Sequence, residues 1–199
     1  MGFIYNQRTY TLSGGKILRI RQEKASDYDE VCALVKTSFA AASDPDETVQ
    51  DYLNEVRKKD AFIPELSLVA ENDEGKLIGQ IVLYKTNIMP ADSKNGSQPG
   101  FQKEVTELVL SPLCVHPDFR GRGIARALME KAFEIAKDLG YTAVFLCGDP
   151  KFYRRMGFRP TFEHNIFHIT DVEKNAEWCL ALELSDGALR GISGMVDIL

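Results

Sequence analysis

The stretch from residue 105 to residue 147 constrains the fold more than any other part of the chain, because it reads strand, turn, helix, strand in quick succession. Residues 105–115 are rich in Val, Leu and Thr, as a strand requires. Pro112 has no amide to give a ladder, so it marks a bulge, an edge or a place where the strand leaves its neighbour. After a turn, Ile124, Leu128, Ala132, Ile135 and Leu139 fall on one helical stripe, with Arg126, Glu130, Glu134 and Lys137 facing away. Gly140 stands where a helix-stopping glycine belongs, and residues 142–147 form a short apolar strand. Two strands joined through one helix are expected to pair in parallel by a right-handed crossover.

Around this unit the chain alternates between both periods. Ile17, Arg19 and Arg21 alternate with Leu18 and Ile20, the pattern of a half-buried strand. Ser26 offers an N-cap to a helix carrying Val31, Leu34, Val35 and Phe39, and Asp44-Pro45 breaks the chain before a second stretch with Val49, Tyr52, Leu53 and Val56. Residues 66–70 and 77–84 read as a hairpin about Asn72-Asp73-Glu74-Gly75-Lys76. Residues 89–100 are expected to be an exposed loop, Pro150 opens a short helix, and residues 178–184 are a late strand. The order implies an α+β fold, a mixed sheet with helices on its faces. At 199 residues a single domain is expected, with a core over about 16–165 and residues 166–199 packed on it as a C-terminal strand and tail.

Composition narrows the partners. With 44% hydrophobic and 27% charged residues the chain is an ordinary globular one. Its net charge of -5 repels phosphodiester backbones, so no nucleic acid partner is expected, and it mildly favours a cationic partner such as an amine. No apolar run nears the ~20 residues of a membrane span, so none is expected, and residues 1–10 lack the features of a signal peptide. Cys32, Cys114, Cys147 and Cys179 form no CxxC pair and no ligand spacing with His116, His164 or His168. Free buried thiols, no metal and a cytoplasmic location are the expectation.

The turn carries the chemistry. If a helix begins near Gly123, the amides of residues 121–125 are unpaired donors at its positive end, and Gly121 and Gly123 let an anion approach the backbone. Arg120 and Arg122 add charge of the sign a diphosphate needs. The competing explanation is a connection that uses glycine only to turn. No Gly-Lys-Ser/Thr follows, so this is not a P-loop, and the three-glycine dinucleotide fingerprint is absent.

Arg120-Gly121-Arg122-Gly123-Ile124-Ala125 resembles the Arg/Gln-x-x-Gly-x-Gly/Ala signature of the GNAT superfamily of acyl-CoA-dependent acyltransferases. Leu113-Cys114-Val115-His116-Pro117 is similar to the strand leading into it, and Tyr153-Arg154-Arg155-Met156-Gly157-Phe158 to the family's second cofactor motif. The segment from Gly148 to Phe158, with the tail from Ala181 through Gly194, resembles a bacterial subgroup of predicted acetyltransferases. The resemblance, strong over roughly residues 105–160, implies a largely antiparallel central sheet with helices on both faces and a splayed parallel strand pair at the cofactor site. It implies acetyl transfer from acetyl-CoA to a small-molecule or peptide amine by direct attack. Backbone of Leu113, Cys114 and Val115 would pair with pantetheine, and amides of Arg120, Gly121, Arg122, Gly123, Ile124 and Ala125 would hold the pyrophosphate. Tyr153 would protonate the departing thiolate, its alternative being an aromatic that packs the short helix.

For a base, Glu107 has rivals in Glu71, Glu104 and His116, and it reads equally as a solvated residue on the outer face of its strand. Cys114 suggests a covalent acyl-enzyme, against a small packing side chain. A non-catalytic acyl-CoA sensor needs the turn but not Tyr153, and an unrelated phosphate-ligand protein needs neither motif in full. Ile192, Met195, Val196 and Ile198 are candidates to cover a subunit edge in a homodimer.

Overall fold

The computed structural model of the chain describes residues 8–11, 17–41, 48–90 and 105–198. Two compact units divide it, Met1–Tyr84 with Leu110–Leu139, and Lys85–Val109 with Gly140–Leu199.

In the first unit, β1 (Arg8–Thr11), β2 (Ile17–Gln22) and β3 (Phe62–Glu71) pair antiparallel in order, and β3 pairs antiparallel with β4 (Leu77–Met89). The alternation in β2 is the expected one, with Leu18 and Ile20 buried while Ile17 and Arg19 face solvent. The β3–β4 hairpin turns where the sequence placed it. Asn72 Oδ1 accepts from the amides of Glu74 and Lys76, which satisfies two turn donors at once. α1 (Tyr28–Ala40) and α2 (Val49–Val56) lay Val31, Leu34, Val35, Leu53 and Val56 inward, and Val69, Val82 and Cys114 meet the α1–α2 layer. β5 (Val105–Val115) leads to α3 (Ile124–Asp138), whose Ile124 and Leu128 lie against Gly79. Gln80, the residue after Gly79, is opposite Val69. Successive strand residues point to opposite faces, so α3 and the α1–α2 pair cover the two faces of this sheet. Leu139 departs from the expected stripe. It is the C-cap of α3 and 37% exposed, because the core ends one turn earlier at Ile135 and Ala136.

Ser26 is not the N-cap. It sits inside a 3-10 turn, Ala25–Asp27, and Asp27 takes the N-cap position of α1 without a side-chain bond to that helix; its Oδ2 reaches back instead and accepts from the Lys24 amide at 2.8 Å. Burial opposes ionisation of Asp27. Hydrogen bonds from Arg21 and Lys24 outweigh it and hold the carboxyl below its ordinary value.

In the second unit the start of β5 pairs in parallel with β6 (Ala143–Cys147) at Leu108↔Val144 and Val109↔Phe145, as the crossover argument required. Those are the paired positions, although β5 runs on to Val115 and β6 to Cys147. α4 (Pro150–Tyr153) follows, then β7 (Arg159–Pro160), β8 (Ile166–His168), β9 (Cys179–Glu183) and β10 (Gly194–Val196). β9 pairs antiparallel with β6 and β7; β10 is parallel to β8 and antiparallel to the end of β4. Phe145, Phe158, Ile166, Leu180 and Val196 are fully buried here. Of the tail residues read as a subunit edge, Val196 in β10 and Ile198 after it are buried within the chain, whereas Ile192 and Met195 are half-buried. The α+β class and the mixed, mostly antiparallel pairing are those expected. Of the residues read as an exposed loop, Met89 ends β4, and 91–100 lie outside the described residues. Among the described residues no helix is long and apolar enough to cross a membrane.

Candidate functional site

At the end of β5 the His116 amide donates to Ile78 O at 2.9 Å, and the chain then turns through a 3-10 segment, Pro117–Phe119. His116 Nδ1 accepts from the Asp118 amide at 3.3 Å, so this ring atom serves the turn and not a substrate. Gly121 and Gly123 have φ of 75° and 81°, the left-handed region that side chains resist, and no atom lies within 4 Å of where a Cβ would stand on either. Gly123 is the N-cap of α3, and Ala127 is where the helix first reaches back, its amide donating to Gly123 O at 3.0 Å. The amides of Ile124, Ala125 and Arg126 therefore precede any i−4 carbonyl of the helix and carry its positive end. An exposed backbone with no side chain over it, at a helix N-terminus, is what a phosphate needs.

The two arginines divide. Arg122 lies with its guanidinium 5.1 Å from the Phe119 ring centroid and donates to Asp118 O at 2.8 Å. Arg120, expected to add charge for a diphosphate, turns its head away. Its Nη2 donates to Ser38 O at 2.6 Å, Nη1 to Ala41 O at 3.4 Å and Nε to Val115 O at 3.3 Å. It binds the free carbonyls at the C-terminus of α1, where a cation is favoured. Arg120→Ala is accordingly expected to lower stability by about 2 kcal/mol, since hydrogen bonds from a charged donor are lost at a helix end. A thermal melt checks this.

Leu113 and Val115 are half-buried on β5, and Cys114 between them is 5% exposed in the α1–α2 core. Burial pushes the Cys114 thiol up to about 12. Such a thiol is protonated at neutral pH, and Cys114 packs as a small apolar side chain in the α1–α2 core.

In the second unit, Tyr153 ends α4. Asp149 caps that helix, its Oδ1 accepting from the Lys151 amide at 2.9 Å, and Pro150 occupies the first position. The sequence reading missed Asp149, although Asp before Pro is a recognisable helix start. The Tyr153 ring stands edge-on to Phe152 and Phe158, with centroids 4.9 Å and 5.5 Å away. Burial pushes its hydroxyl up to about 12.

Glu107 is neither solvated nor free. It is 4% exposed, Oε2 accepts from the amides of Thr142 and Ala143 at 3.0 and 2.9 Å, and Oε1 accepts from Thr142 Oγ1 at 2.6 Å. Both oxygens thus hold the first residues of β6, with β5 providing the carboxylate. Removing it with Glu107→Ala strands two amides at the head of a buried strand, for an expected cost of about 3 kcal/mol. Glu107→Gln keeps an acceptor there and is expected to retain most of kcat with an unchanged pH profile, whereas losing a general base costs ~10²–10⁴-fold. Of the rivals, Glu71 is ion-paired with Arg19 and Arg21 at 2.8 Å each. Burial raises its carboxyl, but the two guanidiniums prevail and hold it low. Glu104 lies outside the described residues.

Similarities to known proteins bear on this arrangement. Residues 28–158 match the model of the acetyltransferase (GNAT) family. The uncharacterized N-acetyltransferase YhbS of Escherichia coli (strain K12) is 30% identical over 178 residues, covering 89% of this chain and 94% of that protein. The crystal structure of the Escherichia coli YhbS protein in complex with CoA superimposes with a TM-score of 0.74 at 25% identity, covering 100% of this chain and 94% of that one. A Brucella melitensis GNAT acetyltransferase in complex with acetyl-CoA shares the fold, with a TM-score of 0.66 at 22% identity over 92% and 96% of the two chains.

Proposed function

Because the chain belongs to the GNAT family of acetyltransferases, we propose that it transfers an acetyl group from acetyl-CoA to an amine by direct attack within a ternary complex. The observation that carries the reading is the open turn at Gly121 and Gly123 feeding the N-terminus of α3. The amides of residues 121–125 hold the pyrophosphate, while Arg120 keeps the turn fastened to α1 and contributes through its backbone. Backbone groups of Leu113, Cys114 and Val115 receive the pantetheine arm.

A neutral amine attacks the thioester carbonyl, the tetrahedral oxyanion collapses, and the C–S bond breaks. Tyr153 donates its hydroxyl proton toward the leaving sulfur. A hydroxyl at about 12 does not surrender its proton outright to a thiolate whose conjugate acid ionises near ~8.5. Tyr153 therefore acts as a hydrogen-bond donor that passes a proton to sulfur as it regains one from the amine nitrogen. Glu107 is a tie between strands, and the amine enters without it. Burial of Cys114 in the core, which pushes its thiol up to about 12, disfavours a covalent intermediate and favours direct attack.

The test is initial-velocity kinetics with acetyl-CoA and a panel of amines, following release of free thiol. Intersecting double-reciprocal lines are expected. Parallel lines overturn direct attack, and tight CoA binding with no thiol released by any amine overturns the catalytic reading.

A further inference from the structure

The four cysteines are not equivalent, and the functional reading uses only Cys114. Cys147 and Cys179 are direct cross-strand partners at the ends of β6 and β9. The Gly148 amide donates to Trp178 O at 2.9 Å, and the Leu184 amide donates to Thr142 O at 2.7 Å. Both are hydrogen-bonded positions of the ladder, an even number of residues apart. Cys147 and Cys179 therefore occupy the intervening non-hydrogen-bonded position, where opposed Cα atoms approach to ~4.5 Å. A disulfide spans Cα separations from ~4.4 Å upward, so this register accepts one without moving the strands.

Exposure within the pair is asymmetric. Cys179 is fully buried, whereas Cys147 is exposed, with its sulfur 3.8 Å from Ile198 O. The two thiols hydrogen-bond each other; this bond lowers Cys179 and raises Cys147. Cys147 is also the residue before Gly148, whose Cα lies so near Tyr153 that a Cβ there would stand 2.5 Å from the ring. The strand end that holds the cysteine pair thus leads directly into the Tyr153 segment.

We propose that Cys147 and Cys179 are a redox modification site, oxidised by hydrogen peroxide to a reversible intramolecular cross-strand disulfide. The pair ionises first at Cys179, which the S–H···S bond lowers, and the Cys147 proton then shifts across that bond to Cys179, leaving the charge on the exposed Cys147. The Cys147 thiolate attacks the peroxide O–O bond. A sulfenic acid forms there, and the departing hydroxide takes a proton to become water. The Cys179 sulfur then attacks the sulfenic sulfur, and hydroxide leaves with the Cys179 proton as a second water. Two thiols are oxidised and one peroxide is reduced to two waters.

The test treats the full chain with hydrogen peroxide and reads intact mass, free-thiol count and a non-reducing peptide map. Expected are the loss of two hydrogens and of two titratable thiols, a cross-linked peptide joining Cys147 to Cys179, and a rise in melting temperature that dithiothreitol reverses. Cys147→Ser is expected to abolish all of these changes while folding normally, since that side chain is at the surface. Cys179→Ala is a second variant, in which Cys147 should stop at sulfenic acid. Sulfinic or sulfonic acid on Cys147 with Cys179 still free, or a Cys147-to-Cys147 link between molecules, overturns the proposal. None of these readouts requires acetyl transfer, so they stand or fall apart from the catalytic reading.

Discussion

Gly123→Val is expected to weaken acetyl-CoA binding by at least ~100-fold, about 2.7 kcal/mol, while leaving a folded protein. Gly123 has φ 81°, a conformation that costs a β-branched residue ~1–3 kcal/mol, and valine relieves that strain only by moving the N-cap of α3. Its methyl groups also occupy the open space over the first-turn amides, where no atom now lies within 4 Å of a Cβ position. Strain and obstruction act together, and a control separates them. Gly140 follows the other end of the same helix, with φ 89° and equally open surroundings. Gly140→Ala carries the strain without the obstruction, so it should lose ~1 kcal/mol of stability and bind acetyl-CoA like the parent. Calorimetric titration of both variants decides the matter. Should Gly123→Val bind as tightly as the parent and merely melt earlier, as Gly140→Ala does, the turn is not the anion site.

Tyr153→Phe is expected to lower kcat by ~10²–10⁴-fold with the KM for acetyl-CoA nearly unchanged. The ring remains to pack against Phe152 and Phe158, so only the proton donor is lost. Equal losses in kcat and in cofactor affinity would point to a packing role. The hydroxyl also gives a pH signature in stability. Its folded-state value is raised to about 12 by burial, above the ~10 of the unfolded chain. The neutral form is therefore the favoured one in the fold. That contribution is complete below pH ~10 and is lost as pH rises through about 12, a fall of ~2–3 kcal/mol. Denaturant unfolding across that window should show the parent losing stability faster than Tyr153→Phe. Taking the difference between the two proteins removes the other tyrosines that titrate there.

Those two residues are legible in the sequence, because both stand in short segments whose conformation is set locally. The glycines mark positive φ, the apolar stripe marks the helix, and Pro150 marks a helix start. The cores of the long strands β3, β4 and β5 were legible because each is long enough to show a run of strand-forming apolar residues, although β3 and β4 extend beyond the residues 66–70 and 77–84 read for them. Less legible were β1, β7, β8 and β10, with two to four residues each. Segments that short have no period to read and exist as strands only because a neighbour supplies the ladder. Ser26 was read as the cap because serine is a good cap residue; the position falls instead to Asp27, whose carboxylate is held back by Arg21 of the preceding strand and the Lys24 amide.

By itself, then, the sequence determined the strand–turn–helix with its open glycines, the parallel neighbour that follows, the tyrosine at the end of a short helix, and the family. It could not determine the employment of charged side chains, which depends on partners far away along the chain. Arg120 found its acceptor 82 positions off, at Ser38 O, and Glu107 found its donors 35 and 36 positions off, at the head of β6. A guanidinium or a carboxylate looks the same in a sequence whether it faces a ligand or a buried backbone. Only the tertiary structure decides, because a buried polar group must be matched by whichever donor or acceptor the fold brings within about 3 Å.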